Sequence, residues 1–168
     1  MIERKTHFYS DGLKLDAAFY VADEPDPKKP LLVINSGFTG MMHIHPARFA
    51  RGLTPHGYSV FAFDYRGFAK SEGEQGRVRL EDQVRDIING VHYARENGAG
   101  FGTGIVLAGW AMASGLGLQA ALHTQKLRGI VALNGFYDAI RVQKALRGEA
   151  GWEGFQTWLA AERSKSLA

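Results

Sequence analysis

The sequence predicts an α/β fold with a mostly parallel sheet and an N-terminal antiparallel hairpin. Short apolar runs, typical of strands buried on both faces, alternate along the chain with segments whose apolar residues recur at helical spacing. A strand that follows a helix in this way joins its sheet by a crossover, and crossovers leave neighbouring strands parallel. The hairpin is predicted at the N-terminus, where strands over residues 5–9 and 13–21 flank the turn pair Asp11-Gly12.

Four strands are predicted after the hairpin, each as a continuous or nearly continuous apolar run. They cover residues 31–35, 59–63, 105–108 and 129–133. Such runs fit the interior of a parallel sheet, where both faces of a strand are covered.

Helices are predicted between these strands from their end signals and their spacing. Helix 46–56 has Pro46 at its start and Gly57 just past its end. Apolar residues at helical spacing define a second helix at 80–97, and a third is expected at 111–124. Residues 139–162 read as one or two amphipathic helices with a break near Gly148–Gly151.

Composition narrows the class of protein. The 168 residues are 45% hydrophobic and 22% charged, which predicts a single globular domain with a sizeable core. Scattered basic residues argue against a nucleic-acid partner, and no apolar stretch reaches the length of a membrane helix. The absence of cysteine excludes disulfides and a thiol nucleophile. Because the N-terminus also lacks the apolar run of a signal peptide, we expect a cytoplasmic protein.

Glycine-rich turns follow four of the predicted strands. They cover residues 36–40, 64–73, 109–115 and 134–138. The carboxyl ends of parallel strands meet at one edge of the sheet, and ligands bind there in open α/β sheets. We therefore expect a binding site for a small molecule at this edge.

Three of these turns carry recognisable motifs. They are Asn35-Ser36-Gly37-Phe38-Thr39-Gly40, the loop from Asp64 to Ser71, and Gly109-Trp110-Ala111-Met112-Ala113. Together, over about residues 5–138, they resemble the α/β-hydrolase superfamily, and most closely its lysophospholipase-like and serine-aminopeptidase-like branch. The resemblance implies a core domain over residues 1–138 and a helical segment over 139–168 that looks like the start of a lid.

The third motif resembles the nucleophile elbow, with Ala111 at the position of the usual serine. Alanine has no hydroxyl, so residue 111 cannot form an acyl-enzyme. The resemblance assigns the two oxyanion-hole N–H groups to Phe38 and Met112, and both belong to the backbone. Ser114 is the nearest hydroxyl; we expect it to have a structural role, with a displaced nucleophile as the alternative.

Four further residues are candidates with open alternatives. Ser36, where the family usually has histidine, is assigned either to substrate binding or to capping its turn. Trp110 is either a wall of the substrate pocket or a packing residue. Asp138 is either the catalytic acid or the N-cap of the next helix. In the family's second motif, we expect Asp64 to form a structural ion pair with Arg66, with substrate contact as the alternative.

The family's catalytic histidine follows later strands, whereas the last histidine of this sequence is His123. The resemblance thus implies a sheet that lacks its last strands, with 129–133 as an exposed edge. Such an edge favours pairing, so we expect a homo-oligomer or pairing with a separate C-terminal piece.

Two functions remain open. The first is an α/β-hydrolase-family protein that acts on or binds a small ester, thioester or amide-like carbonyl without the usual serine. The second is an inactive pseudo-hydrolase that serves as a binding or assembly module. We expect no cofactor, because the glycine-rich run 98–104 precedes a strand instead of opening a helix. His43 and His45 lack a third ligand at a suitable spacing, so no metal is expected either.

Overall fold

The computed structural model describes residues 1–166 of the chain. It contains six strands, β1 to β6, and four helices, α1 to α4. The strands are Ile2–Ser10, Leu13–Val21, Leu31–Ser36, Val60–Phe63, Ile105–Trp110 and Leu127–Leu133, and the helices are His45–Leu53, Leu80–Asn97, Met112–Leu122 and Ala139–Ser166. A short 3-10 turn, Thr54–His56, ends the segment that the sequence predicts as one helix over 46–56.

The six strands form one sheet in the order β1-β2-β4-β3-β5-β6. The hairpin β1-β2 is antiparallel and pairs with β4 in the antiparallel sense, while β4, β3, β5 and β6 are parallel to one another. The predicted fold class is therefore confirmed. β6 pairs with β5 alone and forms one edge of the sheet.

Helices cover both faces of the sheet. On one face, α2 packs against β3 and β4 and α3 packs against β3 and β5, with Ile87 and Leu116 in the buried cluster. On the other face, α1 contributes Ala47 and Ala50 to a smaller cluster on the same strands. The burial on both sides explains why these strands read as continuous apolar runs.

The described chain divides into two compact units, Met1–Gly135 and a second that begins at Phe136. The first holds the whole sheet with α1 to α3. The second contains α4, which is interrupted at Gly148, where φ is 67° and ψ is 176°. This glycine lies in the expected break and divides α4 into two helical segments. None of the helices in the described chain combines the length and apolar character needed to cross a membrane.

Candidate active site at the carboxyl edge of the sheet

The elbow between β5 and α3 keeps a strained backbone although its side chain is only a methyl group. Ala111 has φ 54° and ψ −125°, a combination that costs a non-glycine residue on the order of 1–3 kcal/mol. Its N–H donates to the carbonyl of Leu133 on β6 at 2.9 Å. A side chain at Gly109 would overlap the Ala113 carbonyl, so the strand and helix pass too closely for any residue but glycine.

The Ser114 side chain stabilises this turn, and its hydroxyl is not positioned to act as a nucleophile. Its hydroxyl lies 2.7 Å from the carbonyl oxygen of Gly109 and 2.8 Å from that of Leu133. Both are acceptors, and the side chain is buried. The hydroxyl therefore joins β5, β6 and the first turn of α3, in line with the structural role expected from the sequence.

The turn after β3 is held from two sides. The Gly37 N–H donates to the Trp110 carbonyl at 2.9 Å, and the Gln83 side-chain amide donates to the Phe38 carbonyl at 3.0 Å. Neither the Phe38 N–H nor the Met112 N–H has a hydrogen-bond acceptor within residues 1–166. Met112 is the first residue of α3, where backbone N–H groups have no partner inside the helix. Two donors that the resemblance assigns to an oxyanion hole are thus open on neighbouring turns.

Asp64 connects the loop after β4 to the segment that follows this turn. Its Oδ1 accepts a hydrogen bond of 2.7 Å from the Met42 N–H, and Oδ2 is buried with no partner in the described chain. Burial raises the pKa of the Asp64 carboxyl, while the hydrogen bond from Met42 opposes the rise.

The predicted ion pair between Asp64 and Arg66 is wrong. The Arg66 guanidinium pairs instead with Asp86 on α2, with Nη2 2.6 Å from Oδ1, and with Asp11 in the β1-β2 turn at 2.9 Å. Asp86 is fully buried and needs this cation, whereas Asp64 is satisfied in part by a backbone donor. An acidic residue on the apolar face of α2, one position before Ile87, was the signal for a buried partner.

Ser36 lies at the end of β3, paired across the sheet with Trp110 at the end of β5. Its Oγ is 2.9 Å from Nδ1 of His45, the first residue of α1. The imidazole of His45 stacks on the Trp110 indole, with ring centroids 5.6 Å apart and planes at 23°. This hydrogen bond depends on how α1 crosses the sheet, and no signal in the sequence predicted it.

An apolar cavity of about 330 Å³ lies on the α1 face of the sheet, below the elbow. Trp110 forms part of its wall with Phe49 and Leu53 from α1 and Val131 and Leu133 from β6. His45, Phe49 and Leu53 recur every four residues, so they follow one another along one face of α1. The cavity has the size of a site for a small ligand.

Asp138 belongs to the second unit, where its Oδ1 accepts a hydrogen bond of 2.9 Å from the Arg141 N–H. It is the residue before α4, and an acceptor bonded three residues into a helix is the geometry of an N-cap. The capping alternative therefore describes its contacts. Within residues 1–166, no three histidine, aspartate or glutamate side chains cluster as metal ligands.

Comparison with known proteins gives relatives of greater length. The chain is 32% identical over 132 residues to an uncharacterised 31.7 kDa protein from the traX-finO intergenic region of Escherichia coli, covering 79% of this chain and 45% of that protein. It is 28% identical over 124 residues to the thiohydrolase aneE of Aspergillus aculeatus, covering 73% of this chain and 38% of the relative. The chain thus spans less than half the length of these relatives.

Among solved structures, the α/β hydrolase GrgF from Penicillium sp. sh18 superposes with a TM-score of 0.74 at 19% identity, over 99% of this chain and 55% of that one. The likeness supports the fold. The family model described as serine aminopeptidase, S33 matches residues 26–163. This chain therefore belongs to the serine aminopeptidase S33 family of α/β hydrolases.

Proposed function

We propose that the carboxyl edge of the sheet binds the carbonyl group of a small ester, thioester or amide-like substrate without forming an acyl-enzyme at residue 111. The carbonyl oxygen accepts hydrogen bonds from the Phe38 and Met112 N–H groups. The observation that carries the proposal is that these donors are open while the turns that bear them are fixed by hydrogen bonds from Gly37 and Ser114.

Fixed backbone donors stabilise negative charge that develops on a carbonyl oxygen, and they need no nucleophilic side chain to do so. The elbow holds its strained geometry with Ala111 in place, so its N–H groups keep their direction. The apolar part of the substrate enters the cavity beside Trp110. The match to a relative named a thiohydrolase supports a carbonyl substrate of this class.

Binding is tested by nuclear magnetic resonance, with backbone amides followed during titration with N-phenylbutanamide, a stable analogue of a small acyl substrate. We expect the amide signals of Phe38 and Met112 to shift in a saturable way, and Trp110→Ala to weaken binding at least tenfold. Trp152→Ala, which changes an aromatic residue of α4 in the second unit, is the matched control. Amide shifts confined to other residues would contradict the proposed carbonyl site.

The elbow itself is tested by returning a hydroxyl to it. We expect Ala111→Ser to acquire an acyl adduct at position 111 when incubated with p-nitrophenyl butyrate, because the surrounding turn already has the geometry of the nucleophile elbow. The unmodified chain acquires none at that position. Peptide mass spectrometry locates the adduct, and its absence from Ala111→Ser would show that the elbow is not competent for acyl transfer.

The assembly alternative is favoured by one observation on β6. This strand has a neighbour on one side only, and Ile130, Val131 and Leu133 are each about 40% exposed. An apolar edge of this kind pairs readily with another strand, here that of a second copy of the chain. Sedimentation should show a dimer that Val131→Lys converts to monomer, whereas Leu122→Lys, on an exposed apolar residue of α3, does not.

A further inference from the structure

The His45 imidazole is held on two sides. Its Nδ1 lies 2.9 Å from the Ser36 hydroxyl, and its ring face is stacked on the Trp110 indole. A half-buried imidazole with one nitrogen bonded and one face covered has a single orientation. Chemistry that uses a histidine base requires a fixed ring of this kind.

The second ring nitrogen, Nε2, is open. It has no hydrogen-bond partner in the described part of the chain, and it is not among the buried polar atoms that lack one. It is therefore in contact with solvent. When Nδ1–H donates to Ser36 Oγ, Nε2 carries the lone pair and is able to accept a proton.

The pair lies beside the oxyanion turn and the elbow. Trp110, on which His45 stacks, directly precedes Ala111, and Ser36 is two residues before Phe38. The cavity begins on the same face of the sheet, lined by Phe49, which lies one turn after His45 on α1. A histidine with an open ring nitrogen thus contacts residues next to the turns that carry the two N–H donors, and it lies one helical turn from the lining of the apolar cavity.

We propose that His45 is a general base that activates water for direct hydrolysis of a small apolar acyl ester. Ser36 is its positioning residue. The inference rests on the proposed carbonyl site, because the base acts on a water that attacks a carbonyl held at Phe38 and Met112. Water is then the nucleophile, in place of the serine hydroxyl that residue 111 lacks.

Hydrolysis proceeds by addition of water and then loss of the alcohol, with atoms and charge conserved. The water oxygen bonds to the carbonyl carbon, its proton moves to His45 Nε2, and the carbonyl π electrons move to the oxygen, which is stabilised by the two N–H groups. The C=O bond then re-forms, the bond to the leaving alcohol oxygen breaks, and the imidazolium returns its proton to that oxygen. The products are a carboxylic acid and an alcohol, and no covalent intermediate forms.

The test is the steady-state hydrolysis of p-nitrophenyl butyrate by the full chain and four variants. His45→Gln removes the base and keeps a polar side chain, and His43→Gln is the matched control on an exposed histidine two residues away. We expect His45→Gln to lower kcat at least 100-fold, the usual contribution of a general base, and His43→Gln to leave it unchanged.

Ser36→Ala and Ser36→Thr test the positioning role with His45 in place. We expect Ser36→Ala to lower kcat about tenfold with KM unchanged, because one neutral hydrogen bond is lost, and Ser36→Thr to restore kcat. If urea unfolding shows that His45→Gln does not fold, the two Ser36 variants still test the role of His45. A link that only supports the fold would shift the unfolding midpoint of Ser36→Ala and leave kcat intact.

The outcomes separate this inference from the proposed function. Saturable binding of N-phenylbutanamide at Phe38 and Met112, with no hydrolysis by the unmodified chain or with equal kcat in both histidine variants, overturns the role of His45 and leaves the carbonyl site in place. Absence of binding overturns both. Hydrolysis that depends on His45 and Ser36, with no acyl adduct on the protein, supports both.

Discussion

The Asp64 carboxylate accepts a hydrogen bond of 2.7 Å from the backbone N–H of Met42, and this bond connects the loop after β4 to the segment that follows the turn after β3. Asp64 is fully buried, and its second oxygen has no partner in the described chain. The bond therefore fixes the segment after this turn at the cost of burying an ionisable carboxyl group.

Asp64→Asn should remove that cost while its side-chain oxygen still accepts from Met42. Burial raises the pKa of Asp64 in the folded chain, so the native state holds the proton more tightly than the unfolded state does. The contribution of this group to stability is fully present below the ordinary aspartate pKa of about 4 and is lost as pH rises through the higher folded value. We expect the variant to gain stability relative to the parent as pH rises from about 4 to 7.

Urea unfolding of both proteins at several pH values measures this difference directly. The comparison cancels the other titrating groups, including Asp11, whose pKa is lowered by hydrogen bonds from Arg66 and Arg85. A stability difference between variant and parent that stays the same at every pH would contradict the prediction, because it would mean that folding does not shift the pKa of Asp64.

The Arg66–Asp86 pair provides a second prediction. Arg66→Ala leaves the fully buried Asp86 carboxylate without its cation, so we expect a loss of about 3–5 kcal/mol in the free energy of unfolding. Arg85→Ala is the control, because Arg85 also pairs with Asp11 but its side chain is 50% exposed. Exposed pairs contribute about 0–1 kcal/mol, so similar losses in the two variants would contradict the assignment.

Close packing at the elbow provides a third prediction. A methyl group at Gly109 overlaps the Ala113 carbonyl and lies 2.7 Å from the Ser114 Cα, so Gly109→Ala should displace α3 from β5 and destabilise the fold by several kcal/mol, about 3 or more. Gly117→Ala is the control, because a Cβ there makes only an ordinary contact of 3.7 Å with Leu107. Helix propensity should make that control more stable by about 0.5–1 kcal/mol. Thermal unfolding of both variants gives the comparison.

Much of the fold was predictable because it depends on local patterns. The range 80–97 for α2 is the observed one, since its apolar spacing is regular and Gly98 follows its end. The strand predicted at 105–108 continues to Trp110, because the elbow glycine read as a turn is still paired with β3. The helix predicted at 111–124 begins at Met112, since Ala111 is strained and not helical.

The contacts of the site were less predictable, because they join residues that are distant in sequence. The Ser36–His45 hydrogen bond depends on where α1 crosses β3, and the partner of Arg66 depends on which face α2 presents to the sheet. Because Asp64 and Arg66 are close in sequence, an ion pair between them was predicted, but Arg66 pairs with the buried Asp86. Gln83 was missed as well, although a polar residue beside Val84 on the buried face of α2 was its signal.

Ser114 provides the last prediction. Its hydroxyl shares one hydrogen between the carbonyls of Gly109 and Leu133, so Ser114→Ala should cost about 0.5–1.5 kcal/mol by removing that donor. The loss should also be local. The Ala111 N–H, which donates to the same Leu133 carbonyl, should exchange its hydrogen faster in the variant, because the elbow opens without global unfolding.

Thr124→Val is the matched control for Ser114→Ala, since the Thr124 hydroxyl donates to the Ala120 carbonyl at 2.7 Å just beyond the opposite end of α3. It removes a buried hydroxyl-to-carbonyl bond of the same kind away from the elbow. Hydrogen exchange followed residue by residue should show faster exchange at Ala111 in Ser114→Ala and not in Thr124→Val. Equal protection of Ala111 in both would mean that backbone packing alone maintains the elbow, and that Ser114 contributes only to overall stability.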